Sequence, residues 1–77
     1  MAQREITFEI TERIAVLSNS GIMSKELNMV SWNNGRPKYD LRSWKLTETG
    51  EKTPAKGLTM NDEEMETLKS AITNREI

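Results

Sequence analysis

The turn signal Asn33-Asn34-Gly35 lies between two stretches that are typical of β-strands. In an antiparallel hairpin, directly opposed residues point to the same face of the sheet, so the turn determines which residues share a face. A two-residue turn at Asn34-Gly35 would oppose Leu27 to Arg42 and mix charge with aliphatic side chains. A three-residue loop, in which a type I turn is closed by Gly35 in the left-handed conformation, opposes Leu27 to Leu41 instead. The three-residue loop is therefore the consistent solution.

This register places both tryptophans on the face opposite the aliphatic residues. The pairs on the tryptophan side would be Trp32 with Arg36, Val30 with Lys38, Asn28 with Asp40, Glu26 with Arg42, and Ser24 with Trp44. Antiparallel sheets commonly bury one face and solvate the other, so we expect both indoles to be exposed among cations. Bases stack on such aromatic rings while lysine and arginine hold the phosphates.

A purely structural role is the competing interpretation. Tryptophan in a small domain usually belongs to the core, and Trp44, near a strand end, could lie under a neighbouring loop. Glu26 could neutralise Arg42, and Asp40 could neutralise Lys38. Composition and residue parity alone leave nucleic-acid binding and simple packing about equally favoured.

The rest of the chain predicts three further elements. Alternating apolar residues from Ile6 to Val16 indicate a long first strand with one buried face. Pro54 cannot donate to a ladder, which places the fourth strand at an edge or a bulge. Asn61, with Glu64 three residues on, forms a capping box for a helix. The sequence thus predicts one α+β domain, with strands at about 5–18, 25–32, 36–46 and 52–60 in an antiparallel sheet and a C-terminal helix at about 62–74.

Size and composition limit the kinds of chemistry that the chain can perform. A domain of 77 residues buries only about 60% of its unfolded surface and is marginally stable alone. Without cysteine or histidine, disulfides, zinc sites and histidine-based triads are close to excluded, and we expect no metal and no cofactor. Association into a dimer would supply stability, and the helical stripe Met65, Leu68 and Ile72 could form its seam or cover the sheet. Without a long apolar run or a signal-peptide core, we expect a soluble, cytoplasmic protein with no membrane partner. Binding to DNA would make it nucleoid-associated.

The net charge of −1 conceals an uneven distribution. Residues 25–60 carry seven basic and four acidic side chains, whereas residues 61–77 carry two basic and five acidic ones. A local basic surface matters more to a polyanion than the total charge. The middle of the chain is therefore the candidate site.

Two segments of the chain, "YDLRSW" and "ETGEKTPAKGLTMNDEEMETLKSAI", resemble the positive-cofactor-four family of single-stranded-DNA-binding transcriptional coactivators, and above all its short bacterial members. In that family, a strand of the form aliphatic-Asp-Ile-Arg-Glu-aromatic precedes a turn, a basic strand and a capped helix. Asp40-Leu41-Arg42 matches the first strand, Gly50-Glu51 the turn and Leu58-Thr59-Met60-Asn61 the entry to the helix. The resemblance covers roughly residues 25 to 74.

The resemblance implies a homodimer of curved four-stranded sheets, with helices at the subunit seam and single-stranded DNA bound across the sheet faces. Arg42 matches the family's strand arginine, Lys56 its lysine before glycine, and Trp32 an exposed aromatic position in the second strand. The predicted DNA-binding residues are Trp32, Arg36, Lys38, Arg42, Trp44, Lys45, Lys52 and Lys56. The predicted dimer residues are Met65, Leu68 and Ile72.

Two other functions stay open at this stage. The exposed tryptophans could dock a partner peptide in a protein-interaction module, or the site could prefer single-stranded RNA, since nothing in the sequence recognisably senses a 2′-hydroxyl. Enzymatic activity and a small-molecule substrate are the least favoured, and we expect no catalytic residues. The carboxylates Glu63, Glu64 and Glu66 lie at a helix start, where capping and solvation explain them.

Overall fold

The computed structural model describes residues 6–75, which form one antiparallel sheet followed by a helix. The strands are hydrogen-bonded in the order β1-β2-β3-β4. The elements are β1 Phe8–Ser20, β2 Met23–Trp32, β3 Lys38–Leu46, β4 Lys52–Met60 and α1 Asp62–Thr73. The predicted α+β class is confirmed, with the first strand displaced toward the C-terminus by two to three residues; position 5, where it was predicted to begin, lies outside the described residues.

The β2–β3 hairpin has the predicted register but a different turn. Leu27 opposes Leu41, and Ser24 opposes Trp44. The amide of Gly35 donates to the carbonyl oxygen of Trp32 at 2.8 Å, and the left-handed residues are Asn33 and Asn34, with φ of 52° and 62°. Asparagine tolerates this region better than most residues. Asn33 and Asn34 therefore form a two-residue turn, in place of the predicted three-residue loop closed by Gly35.

The predicted pair between Trp32 and Arg36 is not part of the ladder. The β2–β3 pairing stops at Val30 and Lys38, and residues 35–37 leave the strand geometry before β3 begins. Pro37 lacks the amide hydrogen that a ladder position needs. The turn is shorter than predicted, but residues 35–37 make up the difference in chain length. The strand residues therefore still pair in the predicted register.

The long first strand does not present a single apolar face. Three register shifts interrupt its pairing with β2, between Ile10 and Glu12, between Arg13 and Ala15, and between Val16 and Ser18. Each bulge inserts an extra residue and moves the following side chains to the other face. Phe8 and Ile10 therefore share a face with Trp32 and Val30, but Glu12 does not, and the predicted alternation from Ile6 to Val16 is wrong after Ile10.

The fourth strand lies at the edge of the sheet, as Pro54 predicted, and it also contains a bulge. Pro54 opposes Trp44 and Gly57 opposes Arg42, so the strand has one residue more than its partner between these pairs. A Cβ atom on Gly57 would overlap the Arg42 side chain and lie 2.6 Å from the carbonyl oxygen of Leu41. Only glycine allows β4 to approach Arg42 this closely.

The helix begins with the predicted capping box. The Asn61 side chain accepts from the Glu64 amide at 2.7 Å, and the Glu64 carboxylate accepts from the Asn61 amide at 2.8 Å. Among the described residues, α1 contacts only β3 and β4, and it has no fully buried residue. The helix is thus well capped but only partly packed against its own sheet.

The core lies mainly on the face that carries the tryptophans. We call this the tryptophan face, and it includes Phe8, Val30, Trp32, Asp40, Arg42 and Trp44; the opposite leucine face includes Leu27, Met29, Tyr39, Leu41 and Leu58. Val30 and Trp44 are 0% and 1% exposed, whereas Leu58 is 53% exposed. The expectation of a solvated tryptophan face opposite a buried aliphatic one is therefore wrong for this chain taken alone.

Sheet curvature explains this inversion. Trp44 opposes Ser24, eight residues from Trp32 along β2, which corresponds to about 26 Å on a straight strand. The two indole rings nevertheless stack with centroids 6.4 Å apart. The sheet must therefore twist and curl around the tryptophan face, which becomes the concave side and closes over its own centre.

Candidate nucleic-acid interface

Three aromatic rings form a cluster on the concave face. Trp32 and Trp44 are nearly parallel, with an interplanar angle of 4°, and Phe8 lies tilted at 5.7 Å from the first and 5.2 Å from the second. Such offset and tilted contacts are the favourable geometries for aromatic pairs. Trp44 is enclosed within this cluster, while Trp32 remains half-buried at its margin.

Arg42 lies over the Trp32 ring. Its guanidinium carbon lies 4.7 Å from the ring centroid, a cation–π contact. Its Nε donates to the Asp40 carboxylate at 2.7 Å, and its Nη1 donates to the carbonyl oxygen of Ala55 at 3.1 Å. These bonds tie the guanidinium to β3 and to the β4 bulge at once, so its position is well defined.

An open groove of about 470 Å³ lies beside Arg42 and Trp32. It is lined by Ile6, Trp32, Asn33, Gly35, Arg36, Lys38, Arg42 and Thr59. Three of these side chains are cations, and none of the described residues that line the groove carries a carboxylate. The arrangement combines positive charge with aromatic surface, as a single-stranded nucleic acid requires.

The β2–β3 turn positions the mouth of this groove. Asn33 donates its amide to the carbonyl oxygen of Thr7 at 2.7 Å and accepts from the Thr7 amide through its side chain at 3.0 Å. These bonds bring the chain before β1 to the groove, with Ile6 at its rim. Arg36 and Lys38 follow the turn and are exposed.

The same two cations also line a smaller hollow of about 190 Å³ that includes Asp62. Within residues 6–75, neither cation forms an ion pair with this or any other carboxylate. Arg36 and Lys38 therefore keep their charge available to a bound anion.

A buried polar network occupies the other end of the tryptophan face. The Glu26 carboxylate accepts from Lys52 at 2.6 Å, from the Ser24 hydroxyl at 2.6 Å and from the Asn28 amide at 3.2 Å. Burial by itself raises the pKa of Glu26, but these hydrogen bonds and the Lys52 charge outweigh it and lower the pKa to about 2. Glu26 is therefore ionised, and it neutralises Lys52 rather than Arg42.

The structure brings four of the eight predicted DNA-binding residues together in the groove. They are Trp32, Arg36, Lys38 and Arg42. Lys52 is held by Glu26, and Lys56 is exposed in the β4 bulge next to Gly57. The remaining two predicted residues, Trp44 and Lys45, do not join them.

Two predictions about this surface are corrected. Trp44 is not exposed, because Phe8 and Trp32 cover it inside the curled sheet. Lys45 opposes Met23 and Thr53 and therefore points to the leucine face, away from the groove. The alternative that Trp44 is a core residue is the correct one, and the ring that covers it comes from β1 rather than from a loop.

Sequence reasoning missed Phe8, Ile6, Asn33, Gly35 and Thr59 as parts of the site. Thr59 could have been found, because it opposes Asp40 once the β3–β4 pairing is known. Phe8 could not, because the bulges in β1 hide its register with β2. The bonds between Asn33 and Thr7 join residues that are far apart in the sequence, so a local sequence pattern does not predict them.

The predicted dimer residues lie on α1, outside the groove. Met65 and Leu68 are half-buried and Ile72 is exposed. In the part of the chain that the structure describes, no helix is long and apolar enough to cross a bilayer. No group of three or more acidic side chains within residues 6–75 is placed to hold a metal ion.

The fold and the groove define a class: a small α+β domain with one curled antiparallel sheet, a C-terminal helix and a cationic, partly aromatic groove on the concave face. Residues 23–71 match the family model for Transcriptional Coactivator p15 (PC4), and the chain belongs to this family. This is the family that the two sequence segments resembled, so the resemblance is confirmed. It is a family of non-enzymatic nucleic-acid-binding proteins, and membership indicates a nucleic-acid partner.

The chain is also similar to an individual protein over most of its length. An uncharacterized protein of Treponema pallidum (strain Nichols) is 33% identical over 66 residues, which cover 84% of this chain and 74% of that protein. The similarity therefore extends over most of the chain.

Proposed function

We propose that the chain binds single-stranded DNA in the groove on the tryptophan face, largely independently of base sequence, in transcription, replication or repair. The observation that carries the proposal is the lining of the groove. Arg36, Lys38 and Arg42 lie around Trp32, and none of the described residues that line the groove is acidic. Family membership supports a nucleic-acid partner. Stacking and phosphate contacts do not read base edges, so sequence preference is weak.

The phosphate contacts come from basic side chains near the groove that form no ion pair within the described residues. Arg36 and Lys38 lie at the groove and Lys56 at the adjacent β4 bulge, and none of them forms an ion pair within the described residues. Lys52 is neutralised by Glu26. Three contacts predict a slope of about −2 in log affinity against log salt, or roughly a twentyfold loss between about 50 and 200 mM.

Lys38 and Lys45 provide a matched test of this proposal, because both are exposed lysines of β3 but lie on opposite faces. Lys38→Met should weaken oligo(dT) binding several-fold and make the salt slope less negative by about 0.7, since one phosphate contact is lost. Lys45→Met should change neither quantity. Fluorescence anisotropy with labelled oligo(dT) over a salt series measures both.

Equal effects of the two variants would contradict the groove as the site. Absence of salt-sensitive oligonucleotide binding by the unmodified protein would favour a protein-interaction module instead. Tighter binding of oligo(U) than of oligo(dT) in competition would redirect the proposal to RNA.

The proposal includes a homodimer formed through the leucine face and α1. In the described chain Leu58 and Ile72 are each more than half exposed, and α1 has no buried residue. A chain of this size gains stability from covering such a surface. Two copies joined in this way would leave both tryptophan faces open to DNA.

A further inference from the structure

Arg42 is held by its edges, which limits the ways in which it can contact DNA. Its Nε is bonded to Asp40 and its Nη1 to the carbonyl oxygen of Ala55. Gly57 lies directly opposite, and the two strands approach so closely there that a Cβ atom on Gly57 would overlap the Arg42 Cβ atom. A bidentate phosphate contact uses either Nε with Nη2 or Nη1 with Nη2, and each of these two edges already has one nitrogen bonded within the protein.

Releasing Arg42 to a phosphate would be costly for Asp40. The Asp40 side chain is 0% exposed, and its Oδ2 atom has no hydrogen-bond partner among the described residues. Loss of the bond from Arg42 to Oδ1 would leave a buried carboxylate without a cation. The pair therefore favours an arginine that stays in place when DNA binds.

Trp32 does not offer an uncovered ring in this structure. Arg42 lies over the indole at 4.7 Å, and Trp44 and Phe8 contact it within the aromatic cluster. Arg42 and Trp32 nevertheless line the groove together. A base that enters the groove next to Trp32 must accordingly meet the guanidinium that covers it.

We propose that Arg42 is a stacking platform for a nucleobase, completed by Trp32 beneath it, and not a phosphate contact. Planar guanidinium groups stack on bases as aromatic rings do, and fixation of the edges by Asp40 and Ala55 orients the plane in advance. The inference rests on the proposed single-strand binding and names the residue that receives the base. A positive charge at position 42 is then not enough for full affinity, because the base contacts the planar face of the guanidinium group.

The first test combines a variant that keeps the charge with an oligonucleotide that lacks bases. Wild type and Arg42→Lys are titrated with an oligo(dT) and with the same oligonucleotide carrying abasic sites at its centre, each over a salt series. We expect wild type to bind the abasic strand about tenfold more weakly than oligo(dT). Arg42→Lys should show most of that loss already on oligo(dT), little further loss on the abasic strand, and an unchanged salt slope. Lys45→Arg is the control, because it exchanges lysine and arginine at an exposed position on the leucine face.

The second test needs no substitution and applies even where Arg42→Lys fails to fold. The Arg42 Nε–Hε resonance of the ¹⁵N-labelled protein is followed during titration with oligo(dT) and with the abasic strand. Stacking predicts an upfield ring-current shift with oligo(dT) only, and retained protection from exchange because the Asp40 bond persists.

Three results would overturn the inference. They are an affinity of Arg42→Lys for oligo(dT) equal to that of wild type, an equal abasic penalty in both proteins, or an Arg42 resonance that responds identically to both strands. If wild type binds neither strand, the proposed function itself fails and the inference with it, which is a distinguishable outcome.

Discussion

Ionisation of Glu26 affects the stability of the fold, because its carboxylate is buried and accepts three hydrogen bonds. Its folded-state pKa of about 2 lies below the ordinary value of 4.5, so the unfolded chain binds a proton more readily than the folded one. Stability due to Glu26 is therefore fully present above about pH 4.5 and is lost as the pH falls toward about 2. The network stabilises the folded chain only while the carboxylate is charged.

Comparison of wild type with Glu26→Gln should isolate this contribution. Wild type should lose stability steadily from about pH 4.5 to about pH 2, while the glutamine variant, less stable at neutral pH by roughly 2 kcal/mol, should show a flatter profile. Urea denaturation at several pH values measures the difference. Parallel profiles of the two proteins through this window would show that Glu26 is not held as described.

Among the residues of the site, parity was predictable and burial was not. The sequence places Trp32 and Arg42 on one face because the aliphatic pairs require it, and the structure agrees. Burial of Trp44 depends on Phe8, which arrives from a strand whose register the sequence does not reveal. The partner of Arg42 was also misassigned, because Asp40 on the same strand takes it and Lys52 takes Glu26.

At the level of the elements, the approach of β4 to β3 depends on one glycine. Gly57 opposes Arg42, and any side chain there would overlap both Arg42 and the Leu41 carbonyl group. The bulge between Pro54 and Gly57 also directs the Ala55 carbonyl to Arg42. Strand pairing and site geometry are thus joined at this position.

Gly57→Ala should destabilise the domain by about 3 kcal/mol or more, since the clash involves backbone and cannot be relieved by a flexible side-chain end. Gly21→Ala is the matched control, because its added methyl group would meet no atom within 4 Å and the only cost is its φ of 62°, about 1 kcal/mol. Thermal or urea denaturation of the three proteins provides the comparison. A loss for Gly57→Ala no greater than that for Gly21→Ala would contradict the close strand approach.

The elements themselves differ in how far local sequence determines them. The capping box at Asn61 and Glu64 acts within four residues, and its prediction is confirmed. The β2–β3 register is likewise confirmed, although Asn33 and Asn34 rather than Gly35 carry the left-handed turn. The bulges of β1 are set by tertiary fit rather than by periodicity, so the predicted alternation breaks down there.

For the whole molecule, curvature decides which face is the core. Residue parity predicts a buried aliphatic face and a solvated tryptophan face, but the curled sheet buries Val30 and Trp44 on its concave side and leaves Leu58 exposed on the other. Curvature arises from twist and bulges distributed over several strands, which no single segment encodes. The open leucine face is what the proposed homodimer would cover.

The dimer proposal predicts a specific effect of charge on the helix. Ile72→Lys should shift the protein toward monomer at micromolar concentration, because the lysine would have to be buried in the seam. Ser70→Lys adds the same charge two residues away, on the other side of the helix, and should leave the assembly unchanged. Light scattering coupled to size exclusion measures the mass. A monomeric unmodified protein, or equal behaviour of both variants, would contradict the seam.

The central claim, that the concave groove receives single-stranded DNA, is tested most directly by chemical-shift mapping of the labelled protein with a short oligo(dT). The account predicts the largest changes at the Trp32 indole and at Arg36, Lys38, Arg42 and Thr59, with Lys45 and the leucine face unaffected. Changes centred on the leucine face or on the exposed end of the β1–β2 hairpin, with the groove silent, would contradict it.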